Sequence, residues 1–183
     1  MIEEKDVAAW RARILEELNA DQVEDTFRDG ASGSPRGLES QVEVLAFRLG
    51  SETFGFDIQE VSEILRPKPI TSLPRCPEAI LGVLSLRGMI LPVADTARRL
   101  GIGAFDGRNN HRIIVVNDGA ERMGFAVDAV VGVLRFARSD LENNQFGASV
   151  DPAFLVGIGY DSKRQLVALL STEKLCDIGL EAK

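Results

Sequence analysis

The chain has 183 residues, of which 45% are hydrophobic and 27% charged, a composition typical of one or two small globular domains. Its net charge of −7 argues against a nucleic-acid surface and against binding to anionic membranes. Uncharged apolar runs such as residues 79–86 are far shorter than the about 20 residues of a membrane-spanning helix. The acidic start of the chain predicts no secretory signal.

Residues 1–40 are predicted to be an acidic extension, because they hold five Lys or Arg against ten Asp or Glu. Within it, four apolar residues recur at helical spacing and predict an amphipathic helix over about residues 6–19: Val7, Trp10, Ile14 and Leu18. A Gly- and Ser-rich linker follows this helix. Such a short helix needs a surface on which to bury Trp10. It either folds back on its own domain or docks on a partner.

From residue 41 to residue 177 the pattern indicates a domain of short strands, with a tail at 178–183. Residues 42–49 read as one strand, and Phe54, Phe56 and Ile58 alternate with polar or small residues as in a second. Ile58, Val61, Ile64 and Leu65 then fall on one helical face, so a short helix is expected here. Pro67 and Pro69 would end it.

An internal repeat is the strongest organisational signal in the domain. Residues 55–66 align without a gap on residues 124–135, at an offset of 69, and each copy is followed by two further apolar runs. We therefore expect two similar small β units side by side. A single antiparallel sheet of that size leaves an apolar face in water, so the units should pack together or curl into barrels.

The residues that carry catalysis in other proteins are scarce. His111 is the single histidine, and the two cysteines, Cys76 and Cys176, are 100 positions apart. The sequence Gly101-Ile102-Gly103 lacks the third glycine of a dinucleotide loop, and no phosphate-binding glycine motif is present. The sequence therefore predicts a protein that is not an enzyme, with no catalytic residues, no metal and no cofactor.

Arg87 is the residue that local structure explains least. It stands with Gly88 in a tight turn between two very apolar strands, where Asn or Asp is the favoured neighbour of glycine. Glu63 lies where a carboxylate could reach an arginine, and it aligns with Gly132 in the second copy. A Glu63–Arg87 pair is either a solvated ion pair worth up to about 1 kcal/mol or part of a docking surface on one unit only.

Several segments together resemble the CheW-like family of chemotaxis coupling proteins and the homologous regulatory domain of CheA-type kinases. The resemblance covers about residues 42–175 and rests on these motifs: Phe47–Ile58, Val61–Ile64, Ile70–Pro74, Gly82–Gly88, Ile90–Val93 and Asp95. The stretch from Gly82 to Asp95 is its most specific part. Ser85 before Leu86 and Thr96 after Asp95 depart from the commoner family residues.

The resemblance implies two five-stranded β-barrel subdomains of the Src-homology-3-like type, packed together, with no catalytic activity. It implies an adaptor in the cytoplasm that couples methyl-accepting chemoreceptors to a CheA-type histidine kinase and is recruited to membrane receptor arrays by these partners. Matched by motif, the partner-binding residues are Val61, Glu63, Gly82 and Arg87. The alternative is a stand-alone peptide- or ligand-binding β-barrel module without a kinase partner.

Overall fold

The computed structural model describes residues 41–107, 111–117, 122–142 and 149–178. The predicted N-terminal helix, its linker and the tail from residue 179 lie outside the described residues. Within them, the elements are ten strands in two five-stranded sheets, with only short helical segments. This confirms the predicted all-β class with two similar five-stranded subdomains and short helices.

Sheet 1 combines two strands from the first half of the chain with three from the second half. Its order across the sheet is β8 (Ala129–Ala137), β1 (Gln41–Leu49), β2 (Glu52–Asp57), β10 (Leu166–Leu170) and β9 (Leu155–Tyr160). Neighbouring strands are antiparallel except for β2 and β10, which run parallel.

Sheet 2 has the reverse composition, three strands from the first half and two from the second. Its order is β3 (Val61–Leu65), β6 (Arg112–Asn117), β7 (Arg122–Val127), β5 (Met89–Asp95) and β4 (Ile80–Leu86). Here β5 and β7 form the parallel pair. Helix α1 (Thr96–Arg99) follows β5, and helix α2 (Thr172–Cys176) follows β10.

The two sheets have the same topology, and the repeat offset of 69 is kept in their registers. In sheet 1, Val44 pairs with Leu134. Ile113 lies 69 positions after Val44 and Leu65 lies 69 positions before Leu134, and these two equivalent residues pair with each other in sheet 2. The expectation of two units side by side, each built from one repeat, is therefore corrected. Each repeat places its first hairpin in one sheet and its last three strands in the other, so neither half of the chain completes a sheet alone.

The two outer strands of each sheet are linked by the chain itself. After β3 the chain returns to Thr71, whose backbone exchanges two hydrogen bonds with Val83 of β4. After β8 it returns to Glu142, which makes the same two bonds with Ile158 of β9. In each sheet a single bridge thus connects the segment that follows one edge strand to the other edge strand.

A cluster of phenylalanines joins the sheets. Phe56 of β2 contacts Phe125 of β7 with ring centroids 5.6 Å apart, and these two residues occupy equivalent positions in the repeat. Phe47 lies 4.7 Å from Phe56, and all three side chains are fully buried. Residues 44–47 and 113–116 are buried without a break, because β1 and β6 are covered on both faces.

The helix predicted over residues 58–65 is wrong, because these residues form a tight turn followed by strand β3. The turn carries hydrogen bonds from the backbone NH of Glu60 to the carbonyl of Asp57 and from that of Val61 to Ile58. A bulge at Ser62 then shifts the strand alternation by one residue. The turn and the bulge together space the apolar residues three and four apart, which is also helical spacing.

None of the helices in the described segments is long and apolar enough to cross a membrane.

Candidate functional site

Arg87 occupies a backbone conformation that its side chain does not favour. The turn between β4 and β5 has φ of +51° at Arg87 and +84° at Gly88, and Leu86 pairs with Met89 across it. Positive φ at both central residues is the tight hairpin turn that matches the twist of the strands. A residue with a side chain costs about 1–2 kcal/mol in this region. Turn stability therefore explains Gly88 but not Arg87.

Glu63 and Arg87 are brought together across the closing edge of sheet 2. A guanidinium NH2 group of Arg87 donates to Oε2 of Glu63 at 3.2 Å. The Glu63 side chain is 22% exposed, whereas that of Arg87 is 69% exposed. The pair predicted from the sequence thus exists in the structure, with the carboxylate half-sheltered and the guanidinium open to a partner.

Val61 and Gly82 are both buried. Val61 is only 5% exposed and belongs to the core. Gly82, at φ +144°, lies against the segment after β3, and a Cβ atom there would come within 2.2 Å of the carbonyl oxygen of Thr71. Neither residue offers a side chain to a partner in this conformation. Their predicted partner-binding role stays a prediction, and any such role acts through the shape of the surface.

Two exposed hydrophobic residues next to Arg87 were missed by the sequence analysis. Met89 and Ile90 open strand β5 and are 50% and 78% exposed. The signal was available, because successive residues of a strand face opposite sides and Met89 and Ile90 are both apolar at the end of a hairpin.

The segment after β3 adds positive charge to the same end of the sheet. Thr71 pairs antiparallel with Val83, so the residues that precede Thr71 lie on the side of Val83 that leads along β4 to Arg87. Arg66 and Lys68 are exposed on this segment.

We call the surface formed by these residues the hairpin site: Glu63, Arg66, Lys68, Arg87, Met89 and Ile90. It carries three cations against one carboxylate and two exposed apolar side chains. Such a surface can bind a protein segment that offers apolar and acidic side chains, since complementary charge guides docking and apolar contact adds affinity.

Asp95, one of the residues in the family motifs, stabilises the local fold through hydrogen bonds. Its carboxylate accepts the backbone NH of Arg98 at 3.0 Å and that of Phe105 at 2.8 Å, and its side chain is buried. It therefore caps α1 and anchors the loop that follows.

Other predicted features fall outside this geometry. The proposed docking helix with Val7, Trp10, Ile14 and Leu18 lies outside the described residues. Among the residues that the structure does describe, no three His, Cys, Asp or Glu side chains form a group suited to a metal ion.

Comparison with known proteins gives a consistent result. A family model described as the CheW-like domain matches residues 43–178. The chemotaxis protein CheW of Klebsiella aerogenes is 33% identical over 134 residues, which cover 73% of this chain and 80% of that protein. Protein FrzA of Myxococcus xanthus is 33% identical over 134 residues, covering 73% of this chain and 84% of its own length.

A solved structure shows the same fold. The crystal structure of the scaffolding protein TtCheW from Thermoanaerobacter tengcongensis superimposes with a TM-score of 0.68 at 30% sequence identity. The match covers 81% of this chain and 93% of that one.

Proposed function

The chain belongs to the CheW-like domain family and is an adaptor of chemotaxis-type signalling, and we propose that it couples methyl-accepting chemoreceptors to a CheA-type histidine kinase. The observation that carries the assignment is the match of the family model to residues 43–178, which include both sheets and the hairpin site. Two of the three relatives described above are named as a chemotaxis protein and as a scaffolding protein. Nothing in the structure favours a stand-alone ligand-binding module instead.

We propose that one partner binds at the hairpin site. Arg87 accepts an unfavourable backbone conformation, keeps most of its side chain exposed and is fixed by Glu63. An arginine held in this way is suited to a partner carboxylate, because its planar group can still donate to a second acceptor. Val61 and Gly82 would support the site from beneath, Val61 through the core and Gly82 through the close approach of the Thr71 segment.

A bridging protein needs a second surface, and sheet 1 offers one of different character. Its exposed large hydrophobic residues are Val131, Val156 and Tyr160, each about half exposed. With one partner on each sheet, coupling is a free-energy linkage, in which the receptor state that the adaptor holds biases the kinase equilibrium by about 1–3 kcal/mol. The adaptor would act in the cytoplasm, without catalysis of its own, and reach the membrane arrays through its partners.

The direct test uses purified protein, a soluble receptor fragment and a CheA-type kinase. Binding to each partner is measured separately, and kinase autophosphorylation is measured with and without the adaptor. We expect binding to both partners and a change in autophosphorylation that depends on adaptor and receptor together. Absence of binding to either partner would refute the proposal. Because the hairpin site is basic, binding there should also weaken as salt is raised.

A further inference from the structure

We propose that Arg99 is a positioning residue, which fastens the helix of sheet 1 to the helix of sheet 2 and so holds the two sheets in the relation that coupling requires. The functional part of this inference rests on the proposed adaptor function. The structural part rests on contacts within the chain.

The guanidinium group of Arg99 donates hydrogen bonds to three backbone carbonyls at the end of α2. Its Nε donates to the carbonyl of Leu175 at 3.2 Å, and its NH2 group donates to those of Lys174 and Asp177 at 2.7 and 2.6 Å. The group also lies 4.8 Å above the centre of the Phe154 ring, in the helical turn before β9. One side chain from α1 thus holds two segments that flank sheet 1.

Arginine suits this position for physical reasons. The last carbonyls of a helix have no partner within the helix, and a positive charge is favoured beside them. The planar fork of arginine can serve several such acceptors and stack on an aromatic ring at once, which the single ammonium group of lysine cannot do.

The repeat shows that the fold itself does not require an arginine here. Asp95 caps α1 as Ser171 caps α2, so Arg99 corresponds to Leu175 in the other half. Leu175 is fully buried within its own sheet. The same position is therefore a buried leucine in α2 and an arginine that contacts the other sheet's helix in α1. The side chain of α1 reaches α2, but the equivalent side chain of α2 makes no such contact with α1.

The clamp matters because the exposed groups lie on different sheets. The hairpin site belongs to sheet 2, and Val156 and Tyr160 belong to sheet 1. The Phe56–Phe125 contact joins the centres of the sheets, while Arg99 joins them again through the two helices. The short connections from Asp57 to Val61 and from Val127 to Ala129 also join the sheets, and the Arg99 contacts add an attachment at the helices that further restrains rotation of one sheet against the other.

The test compares Arg99→Leu, which copies the residue at the equivalent position, and Arg99→Lys, which keeps the charge. The control is Arg98→Leu, which removes the neighbouring exposed arginine and its 3.6 Å contact with Asp95. Three properties are measured on the full chain: amide exchange of residues 172–178, affinity for the receptor fragment and for the kinase alone, and kinase activation in the three-component mixture.

We expect both Arg99 variants to speed exchange in residues 172–178 by about tenfold, because charge-assisted hydrogen bonds restrain that segment. Affinity for each partner alone should stay within about twofold, while activation in the mixture falls by about fivefold or more. Arg98→Leu should behave as the wild type in all three measurements.

Unchanged exchange in Arg99→Lys would overturn the clamp. Full activation despite faster exchange, or a loss of activation that merely follows lost affinity for one partner, would overturn its role in coupling. If Arg99→Leu does not fold, Arg99→Lys decides the question. If the wild type itself binds neither partner, it is the proposed function that fails, and the exchange result still shows whether the clamp exists.

Discussion

Sheets 1 and 2 have the same topology but different side chains at equivalent positions. Features that both sheets share serve the fold, whereas features of one sheet alone point to contacts with a partner. Both have the same strand order, a parallel pair at the centre and a bulge at equivalent positions, Val131 and Ser62. Both also have an arginine at positive φ in their last hairpin, Arg87 and Arg164. Only Arg87 has a glutamate across the sheet, because the equivalent of Glu63 is Gly132.

The last hairpins themselves differ in length. The Arg87 turn has two central residues, whereas Asp161 to Gln165 connect β9 to β10 in sheet 1. That longer connection is held internally, since Oδ1 of Asp161 accepts the backbone NH groups of Lys163 and Gln165. Arg164 is thus the matched control for Arg87: similar backbone, no equivalent of Glu63.

The largest expected difference between the sheets is at their equivalent glycines, Gly82 and Gly157. Gly82→Ala would place a Cβ within 2.2 Å of a backbone oxygen at a positive φ, and we expect a loss of about 2–5 kcal/mol. In Gly157→Ala the nearest atom is 3.6 Å away, so the change should stay within about 1 kcal/mol.

Denaturant unfolding of the two glycine variants measures this contrast directly. A loss in Gly82→Ala as small as that expected for Gly157→Ala would show that the Thr71 segment moves aside easily and that its packing against Gly82 does not constrain the fold.

A second contrast is expected at the first residue of each helix. The hydroxyl of Thr96 donates to the carbonyl of Ala126 at 2.7 Å, whereas the equally buried Thr172 hydroxyl has no hydrogen-bond partner in the structure. Thr96→Val should therefore cost about 1–2 kcal/mol, while Thr172→Val should be neutral or stabilise by up to about 1 kcal/mol. Thermal unfolding of both variants tests this, and a loss in Thr172→Val equal to that in Thr96→Val would mean that its hydroxyl is satisfied in solution.

The smallest expected effect on stability is that of the exposed ion pairs. Glu63–Arg87 in sheet 2 and Glu43–Arg135 in sheet 1, at 2.9 Å, both have a well-exposed arginine. A double-mutant cycle for each, with alanine at one or both positions, should give a coupling free energy below about 1 kcal/mol. A value several times larger for Glu63–Arg87 would make that pair part of the scaffold and weaken its assignment to a partner.

The sequence predicted the strands well where alternation was regular and failed where it was not. Phe54 and Phe56 follow the two-residue period of an antiparallel strand, and β2 was found. In β3 the bulge at Ser62 interrupts that period, so the spacing predicts a helix where the structure has a strand. The sequence also could not predict that each repeat contributes strands to both sheets, because periodicity shows which residues form strands but not which strands pair.

The candidate site was predicted in part for a similar reason. The sequence predicts a Glu63–Arg87 pair across 24 positions, because turn chemistry leaves Arg87 unexplained and Glu63 lies where a carboxylate could reach an arginine. The sequence could not show that Gly82 is buried, since its burial follows from the close approach of the Thr71 segment to β4. It also did not show that Ile90 is exposed, because an apolar residue in an apolar run looks like core.

Kinase activation by Arg87→Ala and Arg164→Ala, compared with the wild type in the presence of the receptor fragment, tests the central claim most directly. We predict that Arg87→Ala loses most of the activation, that Arg164→Ala keeps it, and that both unfold within a few degrees of the wild type. Activation that is equal in the two variants, or an Arg87→Ala protein that loses its fold together with its activity, would contradict the assignment of the hairpin site to a partner.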